Sequence, residues 1–124
     1  GRVVLLFGCG GDRDREKRPI MGAIAARMAD FVYVTSDNPR TEVPGEIISE
    51  IVSGMKGTAT PYEVIENRRE AIGRAIMAAK GDDVIILAGK GHETYQIIGK
   101  EKRHFDEREV VRDVLSTEVK ANDN

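Results

Sequence analysis

Short runs of apolar residues, spaced along a chain of 124 residues, limit most strictly what this sequence can fold into. The clearest runs cover residues 3–7, 31–34 and 84–88, and residues 62–65, which Glu63 interrupts, predict a further short strand. Unbroken runs of this kind, rich in β-branched and aromatic side chains, are typical of strands that are buried on both faces of a parallel sheet. The sequence therefore predicts a sheet that is covered by other elements on both sides.

Segments with helical spacing alternate with these strands. The predicted helices open near Pro19 (with Ile20, Met21, Ile24 and Met28 on one face), at Pro44 (ending at Gly54 or Gly57), at Asn67 (capped together with Glu70) and at Asp106 with Glu109. This alternation predicts an α/β fold, a Rossmann-like, mostly parallel sheet with helices on both faces. We expect one domain over residues 1–115 and a frayed tail over residues 116–124.

In open parallel sheets, ligands bind beyond the carboxyl ends of the strands. Three unusual loops follow strands in this sequence, at residues 10–14, 37–40 and 89–93. Although they are far apart in the chain, parallel topology brings them to one rim of the sheet. We therefore expect the functional site at this rim.

The loop after the second strand, Asp37-Asn38-Pro39-Arg40, has the residue types that suit a guest bearing both charges. Arg40 offers a planar fork of donors to a carboxylate, and Asp37 and Asn38 offer oxygens to an ammonium group. Pro39 restricts its own backbone and that of Asn38, which predicts a rigid loop. An ordinary turn is the alternative, since Asp, Asn and Pro are all common turn formers.

The glycine-rich loop at residues 8–11 does not match a dinucleotide-binding motif, because the third glycine of G-x-G-x-x-G would fall at Arg13. A phosphate cradle remains open, since Arg13, Arg15, Lys17 and Arg18 cluster before the next helix. A solvated charged loop is the other interpretation. Arg13 is the preferred candidate because it lies close to the strand end between two carboxylates that could orient it.

The third loop contains Gly89, Lys90, His92 and Glu93, and no P-loop motif accompanies it. Gly89 permits close approach of a small ligand, and Glu93 could accept a hydrogen bond from an ammonium group. Lys90 and His92 could touch a phosphate of ATP or orient the ligand. Each of them is more often a structural or surface residue.

Composition excludes several other functions. The net charge of −2 and the low aromatic content argue against nucleic acid, and no apolar run is long enough for a membrane span. One cysteine and two histidines predict neither a disulfide nor a metal site, which fits a reducing cytoplasm. Ser36 and Thr35 have no nearby base, so we expect no catalytic nucleophile.

With these loops in view, the chain resembles the C-terminal domain of the Mur ligases, and within them the branch that adds the third residue of the peptidoglycan peptide. Four motifs in order carry the resemblance: residues 7–14 (FGCGGDRD) with Lys17-Arg18-Pro19, residues 35–40 (TSDNPR), residues 89–96 (GKGHETYQ) and residues 105–109 (FDERE). Together they span roughly residues 3–115.

The resemblance implies an ATP-dependent amide ligase. ATP would phosphorylate the carboxylate of UDP-N-acetylmuramoyl-L-Ala-D-Glu, and the incoming amine would attack the acyl phosphate. ATP and Mg²⁺ would bind mainly to a central domain. By motif position, meso-diaminopimelate would be bound by Arg13, Asp37, Asn38, Pro39, Arg40, Gly89 and Glu93. The family pairs Asp-Asn-Pro-Arg with meso-diaminopimelate, whose second carboxylate needs a guanidinium group.

The resemblance also implies a fragment of a longer ligase. A central P-loop domain, a nucleotide-sugar-binding domain, and the usual first strand and helix of the C-terminal domain are not in this sequence. Two alternatives stay open: a ligase domain that serves another acceptor, as in the cyanophycin and folate ligases, or a free-standing module that binds phosphate or a nucleotide.

We predict that the chain alone has no ligase turnover, because the resemblance places the chemistry in other domains. Incubation with ATP, Mg²⁺, UDP-N-acetylmuramoyl-L-Ala-D-Glu and meso-diaminopimelate should release no phosphate above a protein-free blank. Phosphate release that depends on the nucleotide-sugar acceptor would contradict this prediction.

Overall fold

The computed structural model describes residues 1–90 and 93–122. Its elements are β1 (Val3–Phe7), α1 (Lys17–Met28), β2 (Phe31–Val34), α2 (Pro44–Ser53), β3 (Tyr62–Val64), α3 (Arg68–Met77), β4 (Val84–Leu87), β5 (Tyr95–Ile98), β6 (Glu101–His104) and α4 (Glu107–Asn122). The predicted alternation of strands and helices is confirmed.

Strands β1 to β4 form one parallel sheet in the order β3-β2-β1-β4. In the centre, Val4 of β1 lies opposite Phe31 of β2 and Ile85 of β4. Because these strands all run in one direction, their carboxyl ends meet at a single rim. Strands β5 and β6 form a separate antiparallel hairpin that follows the loop after β4.

Helices cover both faces of the sheet, as predicted. Helices α1 and α2 pack on one face, where the core contains Phe7, Ala25, Ala26, Val32, Val34, Ile47, Ile48 and Ile51. Helices α3 and α4 pack on the other, with Val4, Leu6, Tyr33, Ala71, Ile72, Ala75 and Val110. Each face therefore has a core of its own.

The last helix is longer than the sequence analysis predicted. It begins after Asp106, whose Oδ1 accepts a hydrogen bond from the Arg108 amide at 2.9 Å. It then continues to Asn122, whereas we placed its end near Leu115. Residues 116–122 contain no glycine or proline, so nothing in the sequence stops the helix there.

Helix α1 turns its large apolar side chains outward. Ile20, Met21, Ile24 and Met28 share a face as expected, but they are 58, 42, 43 and 74% exposed. The buried face instead carries Gly22, Ala25 and Ala26. The reason is the close approach of α2, since a Cβ at Gly22 would lie 2.1 Å from the Ile51 carbonyl oxygen. Only small residues fit such a contact.

Strand β4 also departs from the expectation that the apolar strands are buried on both faces. Val84 and Ile86 are 57 and 45% exposed, although Ile86 pairs with Leu5 in the sheet. An apolar run therefore did not prove burial at this edge of the sheet.

Among the described residues, no helix is long and apolar enough to cross a membrane.

We predict that Gly22→Ala destabilises the protein by about 1–3 kcal/mol, because the added methyl group would clash with the backbone of α2. Urea unfolding of the two proteins measures the difference. Gly73→Ala is the matched control, since a Cβ at this position of α3 meets only Val114 Cγ2, at 3.8 Å. There the better helix propensity of alanine should stabilise the protein by about 0.5–1 kcal/mol. Equal effects of both substitutions would contradict the close helix contact.

Candidate functional site

The loops after β1 and β2 pack backbone against backbone at the rim. The Gly11 amide donates a hydrogen bond to the Asn38 carbonyl at 2.7 Å. A Cβ at Gly11 would lie 1.8 Å from the Pro39 carbonyl oxygen, and a Cβ at Gly8 would lie 2.4 Å from that of Thr35. The glycines of the first loop are therefore needed for contact with the second loop.

This packing argues against the phosphate-binding interpretation of the first loop, which the sequence analysis had left open. The Gly11 amide is already used, Arg15 pairs with Glu50, and Arg18 pairs with Glu42 and Glu50. These groups therefore do not fit a phosphate loop. Over residues 1–90 and 93–122, no group of three or more His, Cys, Asp and Glu side chains could hold a metal ion.

Arg40 is held at the rim through both its backbone and its side chain. Its backbone is left-handed (φ +53°), its amide donates to the Ile97 carbonyl at 3.1 Å, and its carbonyl accepts from the Gly99 amide. Its Nη1 donates to the Gly11 carbonyl at 3.0 Å. The hairpin β5–β6 thus docks on the Asp37–Arg40 loop. The loop is rigid for more reasons than Pro39 alone.

Lys90 forms the centre of a buried polar cluster between the second and third loops. Its side chain has no exposed surface, and its Nζ donates to the Tyr95 carbonyl at 2.7 Å and to Asn38 Oδ1 at 3.3 Å. The same ammonium lies 3.0 Å from Asp37 Oδ1, an ion pair without hydrogen-bond angles, and 3.6 Å from Glu93 Oε1. Asp37 and Glu93 therefore already face one internal ammonium group.

The enclosure of Lys90 bears on its two suggested roles. In this structure its side chain has no exposed surface and its ammonium group is held by internal partners, an arrangement that favours the orienting role. Asn38 supports the same cluster, because its Oδ1 also accepts from the Ile97 amide at 2.9 Å and its Nδ2 donates to Glu93 Oε1 at 3.4 Å. His92 lies outside the described residues.

An open cleft of about 480 Å³ lies beside this cluster. It is lined by Gly8, Cys9, Gly10, Arg13, Asp14, Lys17, Arg18, Met21, Asp37 and Gly89. Three of the predicted site residues, Arg13, Asp37 and Gly89, therefore meet around one space. Asn38 and Pro39 are buried beneath the loops, and Glu93 is half-buried next to Lys90. We expected the two carboxylates beside Arg13 to orient it, but both bind other groups. Asp12 accepts a hydrogen bond from Thr41, and Asp14 accepts one from the Glu16 amide.

The Arg40 side chain also lies close to Gly10, a residue of the cleft wall. A Cβ at Gly10 would lie 2.9 Å from Arg40 Nη1 and 3.6 Å from Arg13 Cγ. Both arginine side chains are therefore close to the same glycine. The loops bring two guanidinium-bearing side chains and the carboxylate of Asp37 to one region of the rim.

Arg18 is the most important residue that the sequence analysis did not single out. It is buried, with Nη2 at 2.7 Å from Glu42 and 3.0 Å from the Gly10 carbonyl, and Nη1 at 2.6 Å from Glu50. Hydrogen bonds from Arg18 and from the Asp12 amide lower the pKa of Glu42 to about 2. In the sequence, Arg18 is one of several basic residues in a row, and nothing there marks it as buried.

Two further buried polar residues hold the strand ends together. Gln96 donates to the Asp37 carbonyl and to Ser36 Oγ. Arg68 donates to the carbonyls of Ser36 (3.3 Å) and Ala88 (2.9 Å), and it pairs with Glu107 at 3.1 Å. These contacts tie β2 to β4 and to the start of α4.

Cys9 is buried as well, and burial raises the pKa of its thiol to about 11, so it is a poor nucleophile at neutral pH.

We predict a pH-dependent contribution of Glu42 to stability. Its pKa in the folded protein lies below its ordinary value of 4.5, so its contribution is complete above pH 4.5 and is lost as the pH falls through about 2. Glu42→Gln should therefore destabilise the protein at pH 7, and its difference from the unmodified chain should shrink toward pH 2. Urea unfolding at steps between pH 7 and pH 2 measures this. Glu46→Gln, on an exposed side chain of α2, is the control. A difference that is constant with pH would contradict the prediction.

Fold and site define an α/β domain whose parallel sheet gathers three charged loops at one rim. The chain belongs to the Mur ligase family, because the family's glutamate ligase domain matches residues 1–91. This confirms the family that the sequence motifs predicted.

Several diaminopimelate ligases are close relatives. The chain is 60% identical over 120 residues to the UDP-N-acetylmuramoyl-L-alanyl-D-glutamate--2,6-diaminopimelate ligase of Caldanaerobacter subterraneus, with 97% of this chain and 25% of the relative covered. It is 55% identical over 115 residues to the ligase of that name from Synechocystis, with 93 and 23% covered. A solved structure of a ligase of that name matches with a TM-score of 0.88 and 41% identity, over 95% of this chain and 24% of the other. The chain thus spans about a quarter of the length of these relatives.

Proposed function

We propose that this chain is the amino-acid-docking domain of an ATP-dependent amide ligase that adds meso-diaminopimelate to UDP-N-acetylmuramoyl-L-Ala-D-Glu in peptidoglycan synthesis. The observation that carries the proposal is the placement of the Arg13 and Arg40 side chains close to Gly10, which lines one cleft together with Arg13 and Asp37. The names of the relatives support the same reaction.

The guest is a diamino acid whose second end carries both a carboxylate and an ammonium group. In this proposal, Arg13 and Arg40 bind the carboxylate, because guanidinium groups form charge-assisted, bidentate hydrogen bonds with it. Asp37 and Glu93 bind the ammonium group. Since Lys90 is paired with both acids, the three side chains together carry one net negative charge, which matches one ammonium group.

Three residues of the proposed site contribute through their backbone or by holding the loop in place. Gly89 has a φ of +105°, and its Cβ position lies 3.7 Å from Asp37 Oδ2, so the absence of a side chain keeps the approach to this oxygen open. Asn38 and Pro39 are buried and hold the loop in place. We propose no catalytic residue in this chain.

ATP and Mg²⁺, when bound, supply the acyl phosphate, and we propose that the remainder of the longer ligase holds them together with the nucleotide-sugar acceptor. We also propose that the protein works in the cytoplasm, where a cysteine such as Cys9 stays reduced. No partner among nucleic acids or membranes is part of the proposal.

The alternative of a free-standing phosphate-binding module loses support because the Gly11 amide, Arg15 and Arg18 already have partners. The relatives reported above give no support to a cyanophycin or folate acceptor.

The proposal predicts that Arg40→Ala raises the KM for meso-diaminopimelate in the ligase that carries this domain. Loss of charge-assisted hydrogen bonds corresponds to an effect of about 10–100-fold. The KM for ATP should stay within about twofold of the starting value, because Arg40 would not contact the nucleotide. Steady-state kinetics with each substrate varied in turn measures both.

Arg27→Ala is the matched control, since Arg27 lies on the exposed side of α1 away from the rim and donates to the Ala23 carbonyl within its own helix. It should leave the kinetic constants unchanged. An unchanged KM for meso-diaminopimelate in Arg40→Ala would remove this arginine from the site. A parent enzyme that does not use meso-diaminopimelate at all would overturn the proposed function.

A further inference from the structure

Two non-glycine residues at the rim have left-handed backbones, Asp12 with φ +55° and Arg40 with φ +53°. Side chains disfavour this region, and residues found there are held by the surrounding structure. Asp12 directly precedes Arg13, and Arg40 is itself a proposed ligand residue. The two unusual backbones are thus located where the two guanidinium groups of the site originate.

The two backbones are tied to each other. The Asp12 carboxylate accepts hydrogen bonds from the Thr41 hydroxyl at 2.6 Å and from the Thr41 amide at 3.4 Å. In the opposite direction, the Asp12 amide donates to Glu42 Oε2 at 2.5 Å. Thr41 and Glu42 follow Arg40 immediately. Asp12 therefore binds, through its carboxylate and its amide, the two residues that follow the unusual backbone of Arg40.

Buried Arg18 anchors this connection. It binds Glu42 with both terminal nitrogens, at 2.7 and 3.1 Å, and it also donates to the Gly10 carbonyl at 3.0 Å. One guanidinium group therefore holds the first loop and the residue that follows the second loop. We call Asp12, Arg18, Thr41 and Glu42 the rim latch.

We propose that the rim latch is a positioning device that fixes the guanidinium groups of Arg13 and Arg40 relative to each other. It thereby sets the preference for an amino acid with a second carboxylate over one that lacks it. This inference rests on the proposed function. Its residues do not touch the guest; they act through the backbone of the two arginines.

The physical reason lies in the backbone dihedrals. Without the latch, Asp12 and Arg40 would gain by relaxing toward negative φ, and this rotation would redirect Arg13 and the Arg40 side chain. Two guanidinium groups bind one carboxylate well only when both are aimed at it before the guest arrives. L-lysine has no second carboxylate, so its binding should depend little on this alignment.

Thr41→Val tests the inference, because it removes the hydroxyl donor and keeps the shape of an exposed side chain. In the ligase that carries this domain, we expect the KM for meso-diaminopimelate to rise about 5–10-fold, as for the loss of one ordinary hydrogen bond at an exposed side chain. The kcat and the KM for ATP should stay within about twofold. The preference for meso-diaminopimelate over L-lysine, measured as the ratio of kcat/KM values, should fall by the same factor as the affinity.

Conservative variants provide the controls. Thr41→Ser keeps the hydroxyl group and should restore the original KM. Asp12→Asn keeps an acceptor and tolerates the left-handed backbone, and it should fall between Thr41→Val and the starting protein. Thermal unfolding of each variant checks that the fold is intact.

The outcomes separate the latch from the proposed function. If the parent ligase prefers meso-diaminopimelate and Thr41→Val keeps both its KM and its preference, the latch is wrong and the function stands. If Thr41→Val changes kcat or the KM for ATP to the same extent as the KM for the amino acid, the effect is a general structural one and the inference is overturned. If the parent ligase shows no preference for a second carboxylate, the proposed function itself fails.

Discussion

The direct contact between the backbones of two loops is the constraint on which the rest of the rim depends. Gly11 meets Asn38 and Pro39 with no room for a side chain, and Gly8 does the same with Thr35. Because the loops touch through their backbones, their side chains project around the contact. Arg13 and Arg40 both have side-chain atoms close to Gly10. A Cβ at Gly11 would push the loops apart and change the position of both arginines.

The basic residues near this contact fall into two groups with different roles. Arg18, Arg68 and Lys90 are buried, and each binds backbone carbonyls and carboxylates of at least two segments. Arg13 and Lys17 lie at the cleft surface. Burying a cation costs desolvation energy, which these contacts offset. Among the described residues, Arg18 Nε and Arg68 Nε have no hydrogen-bond partner, so the guanidinium groups are held through their terminal nitrogens. The buried group therefore ties the loops together, and the surface group lines the open cleft.

The sequence predicted the elements well and their packing less well. Alternating apolar runs and caps such as Asn67 with Glu70 depend on local interactions, and the structure confirms them. The outward turn of Ile24 and Met28 was not predictable, because it depends on how closely α2 approaches α1. The burial of Lys90 was missed for a related reason, since its partners Asp37 and Tyr95 come from another loop and from the hairpin.

The sequence by itself determined the class of fold and the rim at which the three charged loops converge, since both follow from strand order and the direction of a parallel sheet. Its motifs also determined the family. Only the tertiary structure decided which charges face the cleft and which are consumed within the protein. It also decided that the glycines serve loop packing and that Asp12 and Arg40 hold each other's loops. These properties depend on contacts between residues about 30 positions apart, such as Asp12 with Thr41, and no local pattern records such a contact.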